Sequence, residues 1–337
     1  MTAHDPSEKN VDGPAPMFTD ASCVHASLAT LLLELDPRAD VAAALGSACT
    51  TQAVRGEILP AFTHALPSPL AALRGGGYTV ERQLLDEDGR PAMLDSLVSA
   101  GVVVVDVDTF HLPHHWVDHG RLHSLHTVVL RDFDPRGGTV RLTDPVDVTW
   151  YDGRVTWSSL QAPFASTPLG QSWLRVTPAP PGAGHAVAAT DLSARAAALY
   201  VDGAEQLSGS ALARELLAAL DLFFPTAAGA EPLPPAWVNH VQHGLWTYHH
   251  ALRWFAKYLA TRPGEDGPRT GEAASRVERA SQDWLVVRAL LRHSGAAPGE
   301  PSSLRHRSEV SRRLERVADD LSRAGEALAG RESRART

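Results

Sequence analysis

Cys23 lies in Asp20-Ala-Ser-Cys-Val-His-Ala-Ser-Leu-Ala-Thr-Leu-Leu-Leu-Glu-Leu35, where Asp20 or Ser22 can cap an apolar helix carrying Leu28, Leu31, Leu32 and Leu35. The thiol therefore falls in the first turn, where unpaired N–H groups and the helix dipole favour negative charge, and a thiolate becomes available near neutral pH. That is the setting of a nucleophile; the alternative for a lone thiol is a small buried apolar residue. The other cysteine, Cys49 in Gly-Ser-Ala-Cys-Thr-Thr, has no comparable helix start and reads as structural.

A cysteine nucleophile needs a base and a group that orients the base. The stretch from Ser124 to Pro145 supplies both as a hairpin about the turn Asp134-Pro-Arg-Gly-Gly138. In the absence of a bulge, its pairing puts His126 and Asp144 on one face, opposite or diagonal, with Val128, Leu130, Val140 and Leu142 as the rest of that face. Such a pair can simply fasten a hairpin. Together with Cys23, however, it gives the chain order Cys, His, Asp of a papain-type enzyme, with Cys23 as nucleophile, His126 as base and Asp144 as orienting acid.

Ser22-Cys23 heading a helix, Val105-Asp-Val-Asp-Thr-Phe-His-Leu-Pro113 after a buried strand, His126-Thr-Val-Val-Leu and Asp144-Pro145 together resemble the butirosin biosynthesis protein H family, papain-like and related in fold to the double-glycine peptidases. The likeness covers roughly residues 17–178. The helical second half, with Trp254 and Trp284, resembles more weakly the domain that often follows in that family. The resemblance implies transfer of an acyl or aminoacyl group from a carrier-protein thioester to an amine in natural-product assembly. It also implies that Asp108 and Thr109, in the loop that leads to the His126 strand, touch substrate, together with His111. One departure is plain: no glutamine precedes Cys23 to serve an oxyanion hole, the first being Gln52. The Cys23 N–H can supply one donor, and the second is unassigned.

Of the 16 histidines, six fall between His111 and His126, yet His-Leu-Pro-His-His matches no usual metal-ligand spacing. The reading is a polar cleft loop without metal. His240, His243, Thr247, His250 and Trp254 follow 3,4 spacing along a second segment, with Val241, Leu245, Leu252, Phe255 and Leu259 to another side. That stripe either roofs the cleft, placing His240 and His243 against substrate, or is an ordinary interdomain face.

These groups need a scaffold, and 337 residues at 44% hydrophobic and 21% charged suit one large or two ordinary folded domains. The expected class is α+β: a papain-like domain over 17–178 with an antiparallel sheet, a linker over 179–190, an α-helical domain over 191–330, and disordered ends at 1–16 and 331–337. Strands are expected at Gly77 to Asp86, Gly101 to Asp108, His123 to Asp132, Gly138 to Asp144, Val146 to Tyr151, Arg154 to Trp157 and Gln171 to Thr177. Helices are expected at Leu192 to Leu207, Ser210 to Phe224 and Ala236 to Ala260, and on the stripes Val277 to Leu291 and Val310 to Leu328.

A net charge of −8 argues against nucleic-acid and anionic-membrane partners. The polar start and the lack of a long apolar run point to a cytoplasmic protein. No cofactor is required; the partners are an acyl or peptidyl carrier protein and a small-molecule amine acceptor. Rival readings keep the triad but use water, as a thioesterase or peptidase, or make the chain a non-catalytic module that binds an acidic carrier through Arg305, Arg307, Arg312, Arg313 and Arg316. For those arginines the plainer reading is a solvated face interleaved with Glu309, Glu315, Asp319 and Asp320.

Overall fold

The computed structural model describes residues 18, 21–49, 53–56, 59–62, 67–165, 171–179, 197–201, 206–226, 233–262, 267–293 and 301–329. Asp20, Gln52, the stretches 1–16 and 331–337, nearly all of the expected linker and much of the expected helix at Leu192 to Leu207 lie outside them. The chain is α+β and divides into two compact units, one of residues 1–38 and 81–176, the other of 39–80 and 177–337. Residues 39–80, placed by the sequence reading in the catalytic domain, thus group with the helices.

The alternating and continuous apolar runs form one antiparallel sheet, nearly all of whose residues belong to the first unit. Its strands are β3 (Tyr78–Leu84), β4 (Val102–Asp108), β5 (Leu125–Asp134), β6 (Thr139–Asp144), β7 (Tyr151–Thr156) and β8 (Ser172–Pro178), in the order β3-β8-β4-β5-β6-β7. β4 is buried at every residue because it is central and covered on both faces. Val103, Val105, Val107, Val128, Leu130, Val140 and Leu142 share a core with Met93 and Leu97 of helix α4 (Gly89–Ala100) and Phe164 of helix α5 (Gln161–Ala165). Helix α1 (Cys23–Leu35) packs on β4 and β5. Ser27 Oγ donates to Thr127 O at 2.8 Å, and Glu34 pairs with Arg131. Seven helical steps of about 1.5 Å roughly match four strand steps of about 3.3 Å, so α1 runs alongside β5 and Cys23, one turn before Ser27, arrives at the start of that strand.

The hairpin register pairs Leu130 with Leu142 and Arg131 with Arg141, then shifts before Asp134 pairs with Thr139. The bulge lies at the turn end, where Asp132 takes φ 52°, so the expected parity survives at the other end: His126 and Asp144 share a face, one diagonal step apart. The expected strand at Val146 to Tyr151 is instead a 3₁₀ turn, Asp147–Thr149, after which β7 starts at Tyr151. The Asp147 carboxylate accepts from the Val148 N–H at 2.7 Å, a local bond that competes with a ladder.

The second unit holds α2 (Val41–Gly46), α3 (Pro67–Gly75), a short ladder of β1 (Ala53–Val54) with β2 (Ala61–Phe62), α6 (Gly209–Ala218), α7 (Leu220–Phe223), α8 (Pro235–Ala260), α9 (Gly267–Leu291) and α10 (Pro301–Ala329). The stripes expected on α9 and α10 are its core: Val277, Ala280, Trp284, Val287, Val310, Leu314, Val317, Leu321 and Ala324 are each 0–1% exposed. Helix α8 is buried on more sides than its stripe suggests, since His250 and Trp254 are buried along with Leu252 and Phe255. The reason is α2. A Cβ on Gly46 would stand 2.1 Å from the Trp254 carbonyl oxygen, so α2 comes backbone to backbone against α8 and covers what the pattern made a polar face. Gly46→Ala is therefore expected to cost about 1–3 kcal/mol in urea unfolding, because backbone rather than a rotatable side chain must yield. An unchanged unfolding midpoint would mean that this approach is not maintained in solution.

Candidate active site

Ser22 is the N-cap of α1; its hydroxyl meets the His25 N–H at 3.4 Å and His25 Nδ1 at 2.8 Å. His25 is thereby held, buried, by its own cap. Cys23 follows as the first residue of the helix and keeps partial exposure. On β5 and β6, His126 Nε2 and Asp144 Oδ2 are 2.9 Å apart, with Asp144 fully buried. His126 and the Cys23 thiol also interact, each favouring the charged form of the other. The structure thus brings Cys23, His126 and Asp144 together within the first unit.

The electrostatics follow from that alignment. Burial pushes the Cys23 thiol up, but the adjacent His126 charge, its hydrogen bond, and bonds from the Thr127 backbone and hydroxyl outweigh it, so the net direction is down. For His126 burial acts downward, while Cys23 and Asp144 carry the imidazole up to about 10. For Asp144 burial acts upward, but the nearby His114 imidazole, the hydrogen bond with His126 and the His126 charge hold the carboxyl well below its usual range. All three shifts favour a thiolate–imidazolium pair steadied by a carboxylate. Cys49 is the contrast: burial alone pushes its thiol up to about 12.

The chain ahead of Cys23 is also tied to the acid's strand, for Phe18 bridges to Val146 and its N–H donates to Pro145 O at 2.9 Å.

Three participants were not singled out by sequence reasoning. His114 Nε2 lies 3.4 Å from the same Asp144 oxygen that meets His126, and its ring stacks on Tyr151 at 4.5 Å. His115 stands edge to face with His126 at 4.9 Å; burial, then the His126 charge, lowers its pKa. Asp106 accepts from Thr127 Oγ1 at 3.0 Å and from Ser172 Oγ at 2.6 Å, and burial raises its pKa against those bonds. The signal for Asp106 is a carboxylate inside the otherwise apolar run Val102 to Val107. His114 and His115 differ from the other loop histidines only by position in the fold.

Asp108 and Thr109, expected to touch substrate, are almost fully buried at 0% and 1% exposure. Asp108 accepts from the Phe110 N–H at 3.1 Å and meets His123 Nδ1 at 2.6 Å, while the Thr109 hydroxyl lies 3.2 Å from Ser124 O. Both shape the loop, and the substrate contact is corrected to an internal one. His111, half-buried, places Nε2 3.9 Å from Asp108 Oδ2, so Asp108, His111 and His123 bring ligand atoms within 4.8 Å of one another. A divalent cation could be held there, but both Asp108 oxygens already have hydrogen-bond partners.

No protein-family model matches the chain, and no curated protein matches it. His240 and His243 belong to the second unit: His240 Nε2 accepts from the Phe62 N–H at 3.1 Å, and His243 is exposed. The arginines that a carrier-binding module would use are largely engaged within the chain. Arg313 and Arg316 pair with Asp283, Arg312 with Glu309, and Arg307 with Asp221. Among the described residues no helix is long and apolar enough to cross a membrane.

Proposed function

We propose that the first unit is a papain-like cysteine acyltransferase that moves an acyl, aminoacyl or peptidyl group from a carrier-protein thioester to a small-molecule amine. The observation that carries this reading is the partly exposed Cys23 thiol at a helix start, lowered in pKa by an imidazole whose Nε2 is 2.9 Å from a buried carboxylate. The resemblance of the motifs around Cys23, Asp108, His126 and Asp144 to the butirosin biosynthesis protein H family supports the choice of donor and acceptor.

The Cys23 thiolate attacks the thioester carbonyl, and the Cys23 N–H at the start of α1 donates to the developing oxyanion. Collapse breaks the carbon–sulfur bond to the carrier, whose thiolate takes the imidazolium proton, and leaves an acyl-Cys23 thioester with neutral His126. The acceptor amine then attacks as His126 removes its proton. The amide forms, Cys23 departs as thiolate, and the imidazolium is restored. Asp144 holds the ring orientation through both steps. The first exchange is thioester for thioester and nearly balanced; aminolysis runs downhill.

The test is intact-mass analysis after mixing the full chain with a panel of acyl N-acetylcysteamine thioesters, short and long, neutral and aminoacyl. The expected result is a single acyl adduct on Cys23, absent in Cys23→Ala, discharged faster by amines than by water. Discharge to free acid at a rate indifferent to amine would make the protein a thioesterase, and no adduct from any donor would remove the covalent mechanism.

A further inference from the structure

In the second unit α8 and α9 run antiparallel, as three cross-links show: the Gln242 carbonyl accepts from Arg288 Nε at 3.1 Å, His249 Nδ1 lies 2.8 Å from Ser281 O, and Arg253 lies 3.5 Å from Glu278. Along this helical layer arginines are matched with acids. Arg276 meets Glu272 and Asp320, Arg279 meets Asp320, and Asp283 receives Arg313 and Arg316 from α10.

The matching stops at the end of α9. Arg288 and Arg292, one turn apart, have no acidic partner among the described residues, and the charged neighbour of Arg288 is Arg292 itself. Arg288 is half-buried, with its guanidinium carbon 4.5 Å from the centre of the Trp246 ring. Arg292 reaches the same glutamine, its Nε 3.4 Å from Gln242 Oε1. Each guanidinium is thus pinned through Nε, while the terminal nitrogens meet no acceptor among the described residues. A helix C-terminus attracts cations, but Arg288 bonds a carbonyl of the neighbouring helix and lies on a ring, so the dipole does not explain its placement. Two like charges held side by side, one of them partly desolvated, are costly unless an anion joins them. Planar forks with free terminal N–H groups fit the oxygens of a phosphate.

We infer that Arg288 and Arg292, braced by Gln242 and Trp246, form a binding site for a compact phosphate-type oxyanion, either inorganic phosphate or a phosphate group borne on a larger molecule. Two positive charges match a dianion, and the chain's overall charge of −8 makes so concentrated a cationic pair a local device. The site stands independently of the Cys23 chemistry.

Titration calorimetry of the full chain with inorganic phosphate and pyrophosphate, at ionic strength fixed with chloride, tests it. Saturable binding is expected for the wild type, weakened at least about tenfold in Arg292→Gln, which alters an exposed side chain. Arg288→Lys keeps the charge and loses the fork, and is expected to weaken binding as well. Arg323→Gln, on the exposed part of α10, is expected to bind as the wild type does. Heats that chloride reproduces, affinity unchanged in Arg292→Gln, or equal loss in Arg323→Gln would each overturn the site. Tighter binding of malonate than of phosphate would overturn the ligand class. Cys23 alkylation is expected to be unaffected by Arg292→Gln, so failure of this site and failure of the thiol chemistry give separate readouts.

Discussion

Iodoacetamide at pH 6 is expected to modify Cys23 in the native protein within minutes and to leave Cys49 untouched until the chain unfolds. An ordinary thiol with a pKa of about 8.5 is roughly 0.3% thiolate at that pH, and alkylation proceeds through the thiolate. The His126 charge and hydrogen bond, with the Thr127 bonds, lower the Cys23 pKa against its burial, whereas burial pushes Cys49 up to about 12. Part of the gain in thiolate is offset because a less basic sulfur is a weaker nucleophile. The net effect is set at about tenfold or more over His126→Ala at pH 6, narrowing as pH approaches 9, where any thiol ionises. Peptide mass analysis separates the two cysteines, and Cys49 serves as the internal standard. Equal rates at Cys23 and Cys49, or a Cys23 rate indifferent to His126→Ala at pH 6, would show that no thiolate–imidazolium pair exists.

The parts of this site legible in the sequence are those fixed by local rules. A capping serine before an apolar run places Cys23 at a helix start, and the period of two along a hairpin puts His126 and Asp144 on one face even though a bulge intrudes at the turn. What was not legible depends on packing between distant segments. Helix α4 has few buried apolar residues, Met93 and Leu97 among them, so its stripe is faint, and its terminating Gly101 reads equally well as the start of β4. Nothing local distinguishes His114 and His115, which reach the Asp144–His126 pair, from His111 and His123, which turn to Asp108. The substrate role expected of Asp108 and Thr109 rests on the family resemblance and not on local pattern; here both satisfy the loop's own backbone. The burial of His250 and Trp254 is a related case: α2, whose close approach depends on Gly46, lies some two hundred residues away in sequence and leaves no mark on the periodicity of α8.

Replacing Asp144 is expected to have the second large effect, and its pH dependence separates electrostatics from packing. Asp144 is fully buried and faces two imidazoles, His126 at 2.9 Å and His114 at 3.4 Å. Asp144→Ala leaves the His126 charge with only the Cys23 thiolate beside it, and breaking a buried pair from one side costs about 3–5 kcal/mol. Asp144→Asn keeps the shape and removes the charge. His126 then becomes less basic, the thiol loses its stabilising cation, and the Cys23 alkylation rate at pH 6 falls about tenfold or more. The carboxyl's pKa is lowered on folding, so its contribution to stability is present above the unfolded value of about 3.9 and disappears as pH falls through the folded one. The His126 pKa is raised on folding, so its contribution is complete below the unfolded value of about 6.5 and is lost as pH rises toward about 10. The stability difference between wild type and Asp144→Asn, measured by urea unfolding, should therefore be largest between about pH 4 and 6.5 and shrink steadily above that range. A difference constant from pH 5 to 9, with Cys23 alkylation unchanged, would mean that Asp144 only fills space in the hairpin. A difference that declines with pH alongside slowed alkylation would tie the carboxylate, the imidazole and the thiol into one titrating unit.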